Sequence, residues 1–244
     1  MKEFSLKHLH FAIFYDTINT YRTKTEQKRR ENMELSSLYQ YIIRAFVLFT
    51  AFPVHEFAHA WTADKLGDHT ARYDGRLSIN PFAHIDPIGA VCMVLTGFGW
   101  AKPVPINANN FRNRKTGMAI SALAGPVSNL LMAYVAMILY KVLYYVPVNL
   151  NIVEDVLITV ISLNVGLAVF NLLPIPPLDG SRIATLFLPE KAYFGLMKYE
   201  RYIFLGLFLL LWLGVLSKPL IFLENGAVSL LDKLSYFVDL IAKH

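Results

Sequence analysis

Cysteine and charged residues are both scarce in this chain. Its single cysteine, Cys92, excludes an internal disulfide and is interpreted as a small core residue. Any bound metal would therefore be held by histidine and carboxylate side chains. Charged residues make up 17% of the 244 residues, against roughly 25% in an average soluble domain. This shortage of charge argues against an ordinary soluble protein.

Long apolar segments take the place of the missing charge. Hydrophobic residues make up 55% of the chain, and several apolar stretches are long enough to cross a bilayer. We expect an α-helical polytopic membrane protein with five to six transmembrane helices and a short membrane-associated β-hairpin near residues 77–80. The segment 88–100 is short and rich in glycine, which favours a re-entrant or membrane-edge position. The predicted spans are residues 38–63, 118–146, 153–173, 202–217 and 219–242.

The net charge of +5 comes mostly from segments that would flank membrane spans. Segments 62–116 and 174–201 contain seven and four Lys or Arg residues, whereas the loop 147–151 contains none. Because cationic loops stay on the cytoplasmic side, both segments are predicted to be cytoplasmic. Cations in such positions set orientation, so no nucleic-acid partner is expected.

The first 34 residues differ from the rest. They are polar and basic, and they lack the apolar core and small-residue cleavage site of a signal peptide. We expect residues 1–34 to be a flexible N-terminal extension. Residues 35–244 are then one membrane-embedded domain, with a core at 38–185 and C-terminal helices at 200–242.

A metal-site pattern lies at the end of the first apolar run, where His55 and Glu56 are followed by His59. On a helix the two histidines share one face about a turn apart, so both rings can reach one metal ion. Glu56 would then point beside the metal, toward a bound water, as in zinc hydrolases. The alternative is a pair of core or capping histidines with a solvated glutamate.

A catalytic zinc site usually has three protein ligands and one open position. Asp179 is the best candidate for the third ligand, because it follows three prolines in the segment 171–180 that forbid a regular helix. Unwound backbone at membrane depth is tolerated where it is buried in protein or lines a wet cavity. Alternatively, Asp179 caps a helix that begins at Gly180.

The chain resembles the site-2 protease family of intramembrane zinc metalloproteases, and in particular the small bacterial members that lack a PDZ domain. The likeness covers roughly residues 38–185. The resemblance implies one zinc ion per chain, bound by His55, His59 and Asp179, with Glu56 as the general base. The matching segments are HEFAH (55–59), GRLSINP (75–81) with HIDP (84–87), GWAKPVP (99–105), AGPVSN (124–129) and NLLPIPPLDG (171–180).

Four further residues are candidates for substrate contact or for a structural role near the site. Asn171 matches the family asparagine that holds the substrate backbone or the developing oxyanion, although an interhelical hydrogen bond is an equal alternative. Asn129 is interpreted first as helix-packing glue and second as a substrate contact. His84 could be a spare metal ligand, a gate on the site or a structural loop histidine. Asn80 ends the predicted hairpin, whose free edge could bind an unwound substrate as an added strand.

The resemblance implies a metalloendopeptidase that hydrolyses peptide bonds in or near transmembrane segments of membrane-anchored proteins. Its partners are then a membrane-anchored protein substrate and the lipid bilayer. We expect it in the bacterial cell membrane, with the active site toward the cytoplasm. The alternatives are a catalytically silent homologue that binds transmembrane helices and a zinc transporter. The sequence leaves the oligomeric state open.

Overall fold

The structure, a computed structural model, describes residues 33–84, 86–96, 102–145, 151–187, 195 and 198–242. The chain divides into two compact units, residues 1–43 and 44–244. The described part of the first unit is the helical stretch 33–43. The predicted basic extension 1–34 thus lies almost wholly outside the described residues and stays a prediction.

Helices make up most of the described residues, and a short 3-10 turn spans Ala108–Asn110. The long helices lie close to the predicted spans, and the largest difference in their bounds is at the C-terminal end. The helices are α1 (Met33–Lys65), α2 (Thr70–Tyr73), α3 (Pro81–His84), α4 (Pro87–Thr96), α5 (Arg114–Tyr144), α6 (Asn151–Asn171), α7 (Asp179–Ala184), α8 (Glu200–Trp212), α9 (Ser217–Leu234) and α10 (Tyr236–Ile241).

Three segments of the described chain are long and apolar enough to cross a membrane: Tyr41–Lys65, Arg114–Tyr144 and Asn151–Asn171. Helices α8 and α9 meet at 86° and would add a fourth span if they are counted together. This agrees with the predicted helical polytopic architecture, but the five to six spans expected from sequence are not reached in this part of the chain. Helix α4 has 10 residues, fewer than a span needs. Residues 97–100 lie outside the described residues, so the re-entrant or membrane-edge position of segment 88–100 stays a prediction.

The predicted β-hairpin is not confirmed, because the described residues contain no strand. Residues 77–80 are non-helical and lead directly into α3. The N–H of Asn80 donates to Ser78 Oγ at 3.0 Å, and Asn80 Oδ1 accepts from the N–H of Phe82 at 3.1 Å. An asparagine in this position, followed by proline, favours the start of a helix.

Helix α1 ends at Lys65, and the turn that follows it is made at Gly67. The backbone of Gly67 has a φ of +105°, a conformation that side chains with a Cβ rarely adopt. The next residue, Asp68, donates its N–H back to the carbonyl of Ala63 at 2.9 Å. This reversal turns the chain back toward α1 after residue 67.

Helices α5 and α6 pack together through small and branched side chains. The side chain of Asn113 begins α5 by accepting from the N–H of Thr116 at 3.1 Å. The buried residues of α6 recur at three- and four-residue spacing, which places them on one face of the helix. The small buried residues of α5 are Gly117, Ala119, Ser121, Ala122, Gly125, Ala133 and Ala136, and those of the α6 face are Leu157, Ile161, Asn164, Val165, Ala168 and Val169.

A buried cation joins the last turn of α5 to the C-terminal helices. Lys141 Nζ lies 2.8 Å from Asp232 Oδ1 and 2.8 Å from Asp239 Oδ2. The hydroxyl of Tyr145 donates to Asp239 Oδ1 at 3.0 Å. Burial, together with Asp239, raises the pKa of Tyr145 to about 12. Since an unpaired buried ammonium is costly, these contacts make Lys141 an anchor for α9 and α10.

Asp68 connects the end of α1 to the turn at 107–110. Its side chain is fully buried and accepts from the N–H of Asn107 at 2.6 Å, from Asn110 Nδ2 at 2.8 Å and from Thr70 Oγ1 at 2.5 Å. Burial alone would raise the pKa of this carboxyl, but the hydrogen bonds from Thr70, Asn110 and Asn107 hold it below its ordinary value.

We predict that Asp68→Asn destabilises the protein by about 1–3 kcal/mol, because the new NH2 group would face a buried N–H donor. The pKa of Asp68 is lower in the folded state than in the unfolded state, so its carboxylate stabilises the fold at pH values above the unfolded-state pKa. This stabilisation is lost as the pH falls through the folded-state pKa. Thermal unfolding in detergent should therefore show a larger difference between variant and wild type at pH 7 than at pH 3. The exposed Asp74 supplies the control, Asp74→Asn, which should unfold like wild type; equal stability of all three proteins would contradict the prediction.

Candidate metal centre

Helix α1 brings His55 and His59 together in the buried part of the molecule. The two side chains lie one turn apart, and their rings meet edge to face with centroids 4.6 Å apart. Their Nε2 atoms are 3.0 Å apart. The two residues are only 5% and 6% exposed. The spacing read from the sequence thus produces a pair of ring nitrogens directed at one point.

Asp179 reaches the same point from a distant part of the chain. It is the first residue of α7, and it does not cap that helix, since the N-cap is Leu178. Its Oδ2 lies 3.2 Å from the Nε2 atoms of both His55 and His59.

The turn before Asp179 is packed tightly against the end of α6. A Cβ added at Gly180 would overlap the carbonyl groups of Leu172 and Leu173 and would lie 2.5 Å from the carbonyl carbon of Leu172. Glycine at this position therefore lets the start of α7 sit directly on the end of α6. This close approach places the carboxylate of the preceding residue against the histidine pair.

The donor set fits a divalent metal ion. A tetrahedral zinc ion about 2.0–2.1 Å from its ligands holds the ligand atoms about 3.3 Å apart, and the three atoms here are separated by 3.0–3.2 Å. His59 Nδ1 lies 2.7 Å from the carbonyl oxygen of Ser121. Because a carbonyl only accepts, the proton is on Nδ1 and His59 Nε2 is left with a free electron pair. Among the described residues, His55, His59 and Asp179 are the one such group.

Gly125 of α5 forms the wall behind the histidine rings. A Cβ at this position would overlap His59 Nε2 and would lie 2.5 Å from His59 Cε1 and 2.6 Å from His55 Cε1. The space that any side chain would fill is thus occupied by the two rings. Gly125 therefore serves the metal centre directly, besides allowing close helix packing.

Glu56 lies beside the histidine pair and outside the three-ligand group. It is partly buried, and its Oε2 accepts a hydrogen bond from the backbone N–H of Val104 at 2.9 Å. One carboxylate oxygen is thereby fixed by the backbone. The arrangement can provide a metal-binding site, a carboxylate base and a hydrogen bond that orients the base, all in one place.

Comparison with known proteins identifies the family of this chain. The family model for Peptidase family M50 matches residues 147–213. A protein of Bacillus subtilis (strain 168) named "Putative zinc metalloprotease YwhC" is 35% identical over 206 residues, which cover 82% of this chain and 93% of that protein. The chain belongs to peptidase family M50, the site-2 protease family. It is a zinc metalloprotease of the site-2 type.

Two mycobacterial relatives match a smaller part of this site-2 protease. "Putative zinc metalloprotease Rip2" of Mycolicibacterium smegmatis is 30% identical over 132 residues, which are 52% of this chain and 50% of that protein. A protein of the same name from Mycobacterium tuberculosis (strain H37Rv) is 29% identical over 131 residues, with the same coverage. The comparison with solved structures gives no significant match.

Four other residues that the sequence analysis selected for this site-2 protease lie outside the ligand group. Asn171 is the last residue of α6, where its Nδ2 donates to the carbonyl of Leu167 at 3.0 Å. This bond lies within one helix, not between two. Asn129 is fully buried on α5, and within the described part of the chain neither its Nδ2 nor its Oδ1 has a hydrogen-bond partner.

His84 and Asn80 lie at the two ends of the short stretch that includes α3. The ring of His84 is fully buried, and its Nε2–H donates to the carbonyl of Ser78 at 2.6 Å. Asn80 is exposed. The substrate contacts predicted for His84, Asn80 and Asn129 stay predictions.

Three features of the metal centre are absent from the sequence-based prediction: the Ser121 carbonyl, the Val104 N–H and the wall formed by Gly125. The first two are backbone groups, so no side-chain pattern could have identified them. Gly125 does stand in a run of small residues, a pattern typical of close helix packing. The role of Gly125 at the metal centre depends on the rings of His55 and His59, which only the fold brings into contact with this glycine.

We predict that Gly125→Ala lowers the zinc content of the purified protein at least tenfold, because the added methyl group displaces both rings. Gly166→Ala on α6 is the matched control, since its Cβ would meet Glu224 Oε1 at an ordinary 3.5 Å. Zinc is measured by mass spectrometry after dialysis against a weak chelator. Full zinc occupancy in Gly125→Ala would show that the rings do not need this space.

Proposed function

We propose that this site-2 protease binds one zinc ion through His55, His59 and Asp179 and cleaves membrane-anchored proteins in or near their transmembrane segments. The observation that carries the proposal is the convergence of two ring nitrogens and one carboxylate oxygen within 3.2 Å of one another. Two of these three ligands lie on a helix long and apolar enough to span a membrane. Chemistry at that depth is the simplest reason to bury such groups.

The position of the histidines along α1 supports a site inside the bilayer, between its midplane and one surface. His59 and His55 precede the last residue of α1 by 6 and 10 residues, or roughly 9 and 15 Å along the helix axis. The hydrocarbon core is about 30 Å thick. The cationic segment that follows α1 places this end of the helix on the cytoplasmic side. We therefore propose that the active site lies toward the cytoplasm, in a bacterial cell membrane.

The reaction requires a base and a group that stabilises negative charge. A zinc ion in this centre would supply a Lewis acid that lowers the pKa of water and polarises the scissile carbonyl. Glu56 takes the proton from the attacking water and returns it to the amide nitrogen as the C–N bond breaks. Since Val104 holds Oε2, the oxygen that accepts the proton is Oε1.

Asn171 is the candidate for binding the substrate backbone or the oxyanion. It ends α6, eight residues before Asp179 in the sequence. Its Nδ2 donates to Leu167 within α6, and in this role it would donate to the substrate instead. A neutral amide can stabilise an oxyanion without adding a charge to the bilayer.

The substrate must be unwound before it is cut, because the peptide bonds of a helix are shielded. The non-helical stretch 77–80 could pair with an extended substrate, although no strand is formed there. Ile79 and Asn80 are exposed on this stretch. Its ends are held by the buried residues Arg76 and His84, which supports a rigid edge against which a flexible substrate can be extended.

We predict that Glu56→Gln retains zinc and loses cleavage by at least a thousandfold, because glutamine cannot accept the proton. Wild type and Glu56→Gln are produced at equal levels in one bacterial host, and membrane proteins shortened by wild type alone are identified by peptide mass spectrometry. The substrates found should be membrane-anchored and cut in or near a span. Cleavage by Glu56→Gln would refute the assignment of the base.

Asp179→Asn is expected to lower both zinc content and cleavage, since a neutral amide is a poor zinc ligand. Asp155 of α6 offers a comparison by the same substitution, Asp155→Asn, which should retain zinc. Zinc is measured on purified protein, so this result does not depend on knowing the substrate. If Asp179→Asn retains zinc with wild-type affinity, the third ligand is a different residue.

A further inference from the structure

The hydrogen bond from Val104 to Glu56 comes from a segment that is itself held firmly. We call residues 102–104 the positioning segment. Its first residue, Lys102, donates its N–H to the carbonyl of His84 at 2.8 Å. The side chain of Val104 is buried in a small cluster with Ala60 and Ala71. The segment is therefore attached at both ends before it reaches Glu56.

Arg76 holds the same segment from the side. Its Nη2 donates to the carbonyl of Lys102 at 2.7 Å and to that of Pro103 at 3.3 Å. The side chain is buried, being 9% exposed. Within the described residues it has no carboxylate partner, and its Nε has no hydrogen-bond partner.

A buried guanidinium without a counter-ion loses its hydration and regains only part of that free energy from carbonyl groups. Such an arrangement is an inefficient way to stabilise a fold. It is an effective way to fix two carbonyl groups, because the planar fork of arginine has a rigid geometry. The atoms that Arg76 fixes lie within two residues of the N–H bound to Glu56.

The two prolines on either side of Val104 direct the hydrogen bonding of this segment. Pro103 and Pro105 have no N–H, so between residues 103 and 105 Val104 provides the only backbone donor. That donor is the one directed at Glu56. Proline also restricts the residue before it to extended conformations, which keeps Val104 in the geometry that presents its N–H.

We propose that Arg76 and the Val104 N–H are positioning groups for the general base, an inference that rests on the proposed function. Arg76 fixes the carbonyl groups of Lys102 and Pro103, the segment presents the Val104 N–H to Oε2 of Glu56, and Oε1 is thereby directed at the water that it deprotonates. Neither group binds the metal. Their loss therefore affects the rate of the chemical step and leaves zinc binding intact.

Two pairs of substitutions, one at Val104 and one at Arg76, test this inference by different routes. Val104→Pro deletes the N–H and changes the side chain little, whereas Val104→Ile keeps the N–H. Arg76→Met removes both donor contacts and keeps an apolar stem of similar length, whereas Arg76→Lys keeps a donor. The surface residue Arg112 supplies the matched control, Arg112→Met.

The kinetics are measured in detergent on a purified membrane protein found to be cut by wild type and not by Glu56→Gln. A small misplacement of a catalytic group costs up to about a hundredfold in rate, so Val104→Pro and Arg76→Met should each lower kcat about 10- to 100-fold with KM unchanged. Val104→Ile and Arg76→Lys should recover kcat to within about threefold of wild type, and Arg112→Met should match wild type.

Combining the two substitutions tests whether they act through one group. Since both disturb the same hydrogen bond, the double variant should be no slower than Val104→Pro alone. Zinc content and the visible absorption of the Co2+-substituted protein should stay at wild-type values in every variant. These two readouts do not require turnover.

Three results would overturn the inference. The first is a loss of kcat in the double variant that equals the product of the two single losses, and the second is a raised KM with normal kcat. The third is loss of zinc or of thermal stability in both single variants, which would make the segment a structural element only. Failure of the proposed function is recognised separately. If the proposed function is wrong, Glu56→Gln cleaves like wild type. If only the positioning role is wrong, Glu56→Gln is inactive and Arg76→Met is fully active.

Discussion

The convergence of His55, His59 and Asp179 is the constraint on which the rest of the structure depends. Three atoms that carry electron pairs lie 3.0–3.2 Å apart, at a place from which most water is excluded. Without a cation between them such atoms repel one another, so the centre and its metal ion are stabilised together. Because these three side chains come from α1 and α7, a metal ion bound between them, as proposed, would join two parts of the chain that are 120 residues apart or more.

Most of the nearby irregular features can be understood as means of meeting this constraint. The proline-rich turn ends α6 and allows α7 to begin with a carboxylate directed inward. Gly180 lets that turn rest on the backbone of Leu172 and Leu173, and Gly125 leaves room for the rings. The Ser121 carbonyl selects the tautomer of His59. In a membrane, unwound backbone of this kind is tolerated because it is buried in protein.

The parts of this centre that could be predicted from sequence are those encoded by side chains in a local pattern. The four-residue spacing of the histidines indicates one helix face, and a carboxylate after three prolines is a typical ligand position. The end of α1 at Lys65, two residues before Gly67, agrees with the preference of glycine for the turn that follows a helix. The Val104 and Ser121 contacts span 48 and 62 residues and use backbone atoms, so they leave no pattern in the sequence. The strand expected at residues 77–80 did not form because Asn80 and Pro81 favour the start of a helix.

The two sides of the site are built in different ways. Segment 68–84 follows α1 in the chain, and segment 102–110 comes after α4. Segment 102–110 returns to the end of α1 through the contacts of Asn107 and Asn110 with Asp68 and through the contact of Val104 with Glu56. The base is thus held by nearby sequence, whereas the metal depends on α5 and α7. Hydrogen bonds fix the side of the site that carries Glu56, and the geometry of the proposed ligands fixes the side that carries the metal. The two sides meet at the stretch His55–His59 of α1, so the position of the proposed base and the affinity of the proposed metal site depend on different contacts.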